Sequence, residues 1–222
     1  MEKMPYREEL DSEPVLSSES LTVPGPRPND WRTGLPELAG SLVTLRELRA
    51  GDAAALFAAM TNDEVTRFIS PPPATVGGFE RFIAWTHRQR AAGESVSFAI
   101  VARGADVAVG LFQVRSLDTD FATAEWGLAL ASEFWGTGMF FDGAQLLIEF
   151  AFDVIGVQRL EARAAVSNTR GISALKTLGA VHEGVLRKSF LRHGEFLDQS
   201  LWTLLADEWR DAQVPCVSRV IH

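Results

Sequence analysis

Ser132–Phe152 reads SEFWGTGMFFDGAQLLIEFAF, with Gly136 and Gly138 set among aromatics where a long apolar stretch begins. Packing asks for no glycine there, and glycine costs the start of a helix backbone entropy. Met139, Phe140, Gly143, Ala144, Leu147, Ile148, Ala151 and Phe152 recur at helical spacing, which predicts a firmly buried helix. Its glycine-rich first turn leaves amides unpaired, with no Cβ to keep an anion away. The helix dipole adds about half a positive charge at that end. Gly136, Thr137, Gly138, Met139 and Phe140 are therefore expected to form a phosphate cradle. A bare G-x-G taken alone is more often a tight turn. No Gly-Lys-Ser/Thr follows it, and Phe141 stands where a dinucleotide fingerprint has its third glycine.

The flanking elements give the cradle a context. Upstream, SVSFAIVAR, VAVGLFQVR and TAEWGLALA carry strand spacing, with the turn GADV and the loop SLDTDF between them, an antiparallel meander. Earlier still come a short strand, SLVTLREL, and a helix over AAALFAAMTNDEVTRFI with Asp52 as its N-cap. SPPPATVGG must be a loop, and a second helix runs from about Phe79 to Ala91. Downstream, RLEARAAV reads as a strand, TRGISALKTLG as a short helix, and the last two strands form a hairpin around His193-Gly194. This order gives a mixed α/β domain with a mostly antiparallel sheet of six to seven strands and about four helices. Residues 1–34, rich in Pro, Ser and Glu, read as a flexible extension, 35–210 as the domain and 211–222 as a tail.

Composition narrows the function. With 222 residues, 46% hydrophobic and 23% charged, the chain suits one globular domain. The acidic, polar start MEKMPYREELDSEP does not read as a secretory signal, no apolar run spans a bilayer, and the expected location is cytoplasmic. One cysteine and four scattered histidines offer no metal site. A net charge of −8 argues against nucleic acid, whose phosphates need a basic face. Arg159, Arg163, Arg170, Lys176, Arg187, Lys188 and Arg192 nonetheless make one stretch basic, which suits a small anion or a solvated face.

The segments LAGSLVTLREL, EWGLALASEFWGTG, NTRGISALKTLGAVHEGVLR and FLD…LWTLLADEW, in that order, resemble the GNAT superfamily of CoA-dependent N-acetyltransferases. The likeness spans roughly Leu38 to Trp209 and is greatest to the branch holding the ribosomal-protein N-terminal acetyltransferases. It implies acetyl-CoA as acyl donor, no metal, and a sheet whose fourth and fifth strands splay apart. The pyrophosphate would lie on the segment opened by Trp135 and running from Gly136 to Phe140. Backbone groups of Leu128, Ala129 and Leu130 would face the pantetheine arm, with a bulge at Gly127. Asn168 either contacts that arm or caps the next helix. The chain departs from the family where Trp135 replaces Arg or Gln, Phe140 replaces Gly or Ala, and Gly171 replaces Ser. Leu175 stands where many relatives carry a tyrosine acid.

Acyl transfer to an amine needs a base and an oxyanion donor. Glu125 is the best-placed carboxylate, although it also fits a surface position opposite in phase to Trp126; the amide of Leu128 is the oxyanion candidate. Ser173, water or the thiolate's own acidity answer for the missing tyrosine. Phe68, Phe79, Arg187, Phe190, Arg192 and Trp202 are expected around the acceptor, a small-molecule or peptide amine. The expected protein is a monomer or homodimer, without nucleic acid or membrane. The alternatives are a GNAT-fold protein that binds CoA without catalysis, and an interaction domain.

Overall fold

The computed structural model of the chain describes residues 30–213. Eight strands build one sheet: β1 (Leu38–Ala39), β2 (Val43–Glu47), β3 (Ser95–Ala102), β4 (Ala108–Ser116), β5 (Thr123–Leu130), β6 (Arg159–Ala165), β7 (Val181–Arg192) and β8 (Glu195–Leu205). Their spatial order is β1-β2-β3-β4-β5-β6-β8-β7, and β5–β6 is the parallel neighbour pair. Six helices complete the described fold: α1 (Ala53–Met60), α2 (Asp63–Thr66), α3 (Val76–Ala92), α4 (Met139–Glu149), α5 (Thr169–Thr177) and α6 (Ala206–Gln213). α4 runs on as a π-helical turn, Phe150–Ile155, which Gly156 ends at φ 95°. None of these helices is long and apolar enough to cross a membrane.

Strand alternation gives the sheet two faces. On one, Val43, Leu45, Phe98, Ile100, Phe112, Val114, Trp126 and Leu160 bury themselves against Ala144, Leu147 and Ile148 of α4 and Leu175 of α5. On the other, Ala99, Val101, Leu111 and Ala129 meet Leu56, Phe79, Phe82 and Ile83 of α1 and α3. Each large side chain fully buried contributes about 1.5–3 kcal/mol, so both layers are firmly held. α4 lies so close to the sheet that a Cβ at Gly143 would stand 2.8 Å from Phe112 Cε2. That explains Gly143, the third glycine of the Ser132–Phe152 stretch.

The structure corrects several readings. The expected first helix is two, because the Asn62 side chain caps Glu64 N–H (2.9 Å) and starts α2 afresh. Asp52 makes no side-chain cap on α1; its carboxylate forms a buried fork with Arg46 at 2.8 and 2.8 Å. Burial alone would raise the Asp52 carboxyl, but the Arg46 fork and the Arg49 amide outweigh it and hold it below its ordinary range. α3 begins at Val76, where Thr75 caps Gly78 N–H. β1, a two-residue strand, is the addition to the expected count.

Residues 1–29 and 214–222, read as extension and tail, lie outside the described residues. Trp31, inside the stretch read as extension, is buried at 5% exposure and meets Phe121 edge-on at 5.6 Å. Arg90 donates to the carbonyl of Arg32, fixing that stretch to α3.

Candidate active site

β5 and β6 pair over three residues only: Thr123↔Arg159, Ala124↔Leu160 and Glu125↔Glu161. β5 continues beside β4 as far as Leu130, while β6 continues beside β8, so the strands part directly after Glu125. The bulge expected at Gly127 is absent: Gly127 stays in register with Gln113. The parting comes instead from each strand following its outer neighbour.

Backbone phase decides which groups face the gap. Ala131 N–H donates to Val109 (2.9 Å) and Thr123 C=O accepts from Leu117 (2.8 Å), so odd-numbered residues of β5 bond towards β4. By alternation Trp126, Leu128 and Leu130 turn their N–H and C=O towards β6. Ala122, in the same phase, accepts from Gln158 and Arg159. In a parallel ladder the Glu125↔Glu161 pair turns Trp126 N–H towards Glu161 C=O, and past it no described strand lies opposite Leu128. The Leu130 carbonyl is taken by the Trp135 indole at 2.9 Å, and Ala129 is in phase with the β4 ladder. Of the three residues expected at the thioester arm, Leu128 keeps both backbone groups towards the gap.

The glycine segment lies at the end of β5. Gly136 and Gly138 adopt φ 74° and 89°, the left-handed region that glycine enters without a Cβ clash. Among the described residues the amides of Gly136, Thr137 and Gly138 donate to nothing, and Met139 N–H reaches only Thr137 Oγ1 at 3.5 Å. A Cβ built on Gly136 meets nothing within 4 Å. A cradle of bare amides with open space before it fits a phosphate. Phe140 turns away from it: its ring stacks on Trp126 (6.5 Å, 15°) and meets Phe141 edge-on. The N-terminus of α4 is anchored by Asp142, whose carboxylate accepts from Ser41 (3.0 Å), Leu42 (2.8 Å) and Val43 (2.9 Å). Burial pushes that carboxyl up, yet the three amides hold it below the ordinary range.

Glu125 is 6% exposed, on the face away from Trp126. Arg115 Nη2 donates to its Oε2 at 2.6 Å, while Oε1 is buried without a partner among the described residues. Gln113 and Ser97, bonded to each other at 3.2 Å, continue this polar strip along β4 and β3. Asn168 caps α5 by accepting from Gly171 N–H at 2.9 Å. Leu175 is buried at 7%, and Ser173, two residues away on the opposite side of α5, is exposed.

The residues expected around the acceptor do not all meet. Arg192 donates to the Thr66 carbonyl at 2.9 Å, joining the last hairpin to the end of α2. Phe190 shares Arg192's side of β7 and is buried, and Phe68 is half-buried with the Arg67 guanidinium 5.1 Å from its ring centroid. Arg187 is exposed next to a bulge. Phe79 (1% exposed) is packed between Phe57 and Phe82, so it is core. Trp202 belongs to the α4 face of the sheet, the wrong side for a pocket shared with Phe68. Sequence reasoning missed Arg115, whose place beside Glu125 follows from the register of the β4–β5 hairpin. It also missed the guanidinium of Arg170 lying 3.9 Å from the Trp135 ring centroid, where the loops after β5 and β6 meet.

A sheet splayed at a parallel pair, with bare amides beyond it, is the arrangement that the GNAT resemblance implies. The family model described as acetyltransferase (GNAT) domain matches residues 43–181, more than half of the chain, and the chain belongs to that family. It is 28% identical over 168 residues to the uncharacterized N-acetyltransferase p20 of Bacillus licheniformis, covering 75% of this chain and 94% of that protein. It is 30% identical over 100 residues to YdaF of Bacillus subtilis (strain 168), provisionally named a ribosomal N-acetyltransferase, covering 45% of this chain and 55% of YdaF. RimJ of Mycobacterium smegmatis, solved in complex with CoA-disulfide, shares the fold at TM-score 0.68 and 22% identity, over 75% of this chain and 83% of that one. The likeness to YdaF agrees with the ribosomal-protein acetyltransferase-like branch, and the likeness to RimJ shows the fold.

Proposed function

We propose that the chain moves an acetyl group from acetyl-CoA to a primary amine of a small molecule or a peptide N-terminus. The amine attacks directly while both are bound. The observation that carries this reading is the parting of β5 from β6 directly after a buried carboxylate, with unpartnered amides beyond. RimJ, with the same fold, holds CoA-disulfide, which supports CoA as the donor's carrier here.

The amides from Gly136 to Phe140 would hold the pyrophosphate, with the dipole of α4 behind them. Leu128 would offer its backbone to the pantetheine arm and donate its N–H to the carbonyl oxygen as negative charge gathers there. Bound there, acetyl-CoA supplies an activated acyl carbon. Glu125 Oε1 takes the proton that the amine nitrogen gives up as the C–N bond forms and the C–S bond breaks. The leaving thiolate takes a proton from water, because Leu175 has none to give and Ser173 faces solvent. Leu175 also favours the second reading, a CoA-binding protein without turnover.

Two measurements test the proposal. CoA should raise the melting temperature of the parent chain, and Gly136→Asp should weaken CoA at least about tenfold more than Gly136→Asn, which has the same shape without the charge. Equal affinities would remove the cradle. Acetyl-CoA incubated with peptides, amino acids, polyamines and aminoglycosides should release CoA with at least one of them. CoA binding with no release from any amine would leave only the second reading.

A further inference from the structure

We propose that Arg115 is a positioning residue for this reaction: it pins one oxygen of Glu125 so that the other stays bare for the acceptor amine. The proposal rests on the reading of Glu125 as base. Its evidence is a contrast among the carboxylates of the protein itself. Asp52 uses both oxygens, one on Arg46 at 2.8 Å, the other on Arg46 and the Arg49 amide. Asp142 uses both on the Ser41–Val43 amides. Glu183 uses both on Arg159 and adds Thr203. Among the described residues Glu125 is the buried carboxylate with an oxygen that meets no donor. Leaving such a buried acceptor bare is destabilising, and a merely structural ion pair gains nothing by it.

The register explains how the asymmetry is held. Arg115 stands directly opposite Glu125 on β4, and Glu161 stands directly opposite on β6. Glu161 engages Arg159 at 2.9 Å and lies 3.9 Å from Arg163, its neighbours two residues away on either side along β6. Among the described residues Arg115 is the cation that reaches Glu125, and it does so through one nitrogen onto one oxygen. With Oε2 bonded at 2.6 Å, the carboxylate cannot rotate without breaking that bond, so Oε1 keeps one direction. Gly127, next on the same face of β5, has no side chain to block the approach. During transfer the amine proton passes to Oε1, the C–N bond forms, the C–S bond breaks, and Arg115 keeps its own protons throughout.

The test uses the full chain with whichever amine of the panel the parent acetylates. Arg115→Met should lower kcat about 10–100-fold, part of the general-base contribution. CoA affinity and acetyl-CoA KM should stay within about twofold, since the cradle is elsewhere. Arg115→Lys, which keeps the charge on a differently shaped head, should lower kcat about threefold to tenfold, less than the Met variant does. In the Glu125→Gln background, Arg115→Met should cost less than about twofold more, because the base it serves is gone. An unchanged kcat in Arg115→Met overturns the proposal, and so does an equal loss in both backgrounds. Should the Met variant fail to fold, Arg115→Lys decides: a kcat lowered about threefold or more at constant KM supports the role, and an unchanged kcat overturns it. A fully active Glu125→Gln removes the base itself, as does a panel in which no amine is acetylated, and with either the proposal falls.

Discussion

Trp126 and Glu125 are neighbours on β5 and point to opposite faces of one sheet. On Trp126's side, Phe112, Phe140 and Trp126 form a ring cluster with centroids 6.3–6.5 Å apart over the base of α4. On Glu125's side lie an ion pair, a Gln–Ser bond and an oxygen with no donor. The first face is spent on cohesion. The second accepts an unsatisfied buried group that packing alone would have removed. At these two positions one strand separates a cohesive ring cluster from the proposed base.

Breaking the comparison on the polar side should have the largest effect. Glu125→Gln is expected to cut the acetylation rate about 10²–10⁴-fold, while the melting temperature stays put or rises slightly. A rate within about threefold of the parent would make Glu125 a bystander. On the apolar side, Trp126→Ala should cost about 3–5 kcal/mol of stability, read from denaturant midpoints. A loss below about 1 kcal/mol would show that the ring cluster is not a support.

Asp142 ties the apolar layer to the start of β2. Asp142→Ala strands three amides and should cost about 1–3 kcal/mol, with weaker CoA binding as the α4 N-terminus loosens. The smallest effect belongs to Glu183, on the open part of the polar face. Hydrogen bonds from Arg159, then from Thr203, lower its carboxyl from about 4.5 to about 2. Its contribution is present above pH 4.5 and fades as pH falls towards 2, when the folded carboxylate takes up its proton. Because the side chain is 37% exposed, solvent screening keeps the contribution under about 1 kcal/mol. Glu183→Gln should flatten acid unfolding in that window and lower neutral stability by no more than that amount.

Much of this contrast is legible in the sequence, because a period of two assigns Glu125 and Trp126 to different faces without any structure. The glycine segment is legible too, since φ above zero and a buried helix both leave marks in composition. What local pattern does not carry is register between strands. Arg115 meets Glu125 only because the SLDTDF loop sets the β4–β5 offset, and Trp202 falls on the α4 face only because β8 pairs with β6 in one particular phase. Phe79 reads as free to line a pocket because its partners, Phe57 and Phe82, depend on how α1 crosses α3. The break at Asn62 is hidden by apolar residues that continue on both sides of it.

Three residue pairs, Thr123 to Glu125, are the ladder that joins the β1–β5 part of the sheet to the β6–β8–β7 part. The apolar layer under α4 and α5 runs across that seam unbroken, from Phe112 and Trp126 to Leu160 and its register partner Leu204. The opposite face has no such continuous layer. Such a plate flexes like a bound book, its spine on the α4 side and its pages free to tilt on the other. Force applied across β5 and β6 would unzip three pairs rather than eight strands, and amide exchange there should be faster than in the seven-pair β3–β4 ladder. A molecule lying in the cleft would act as a wedge and a clasp at once, fixing the angle at which the two leaves stand.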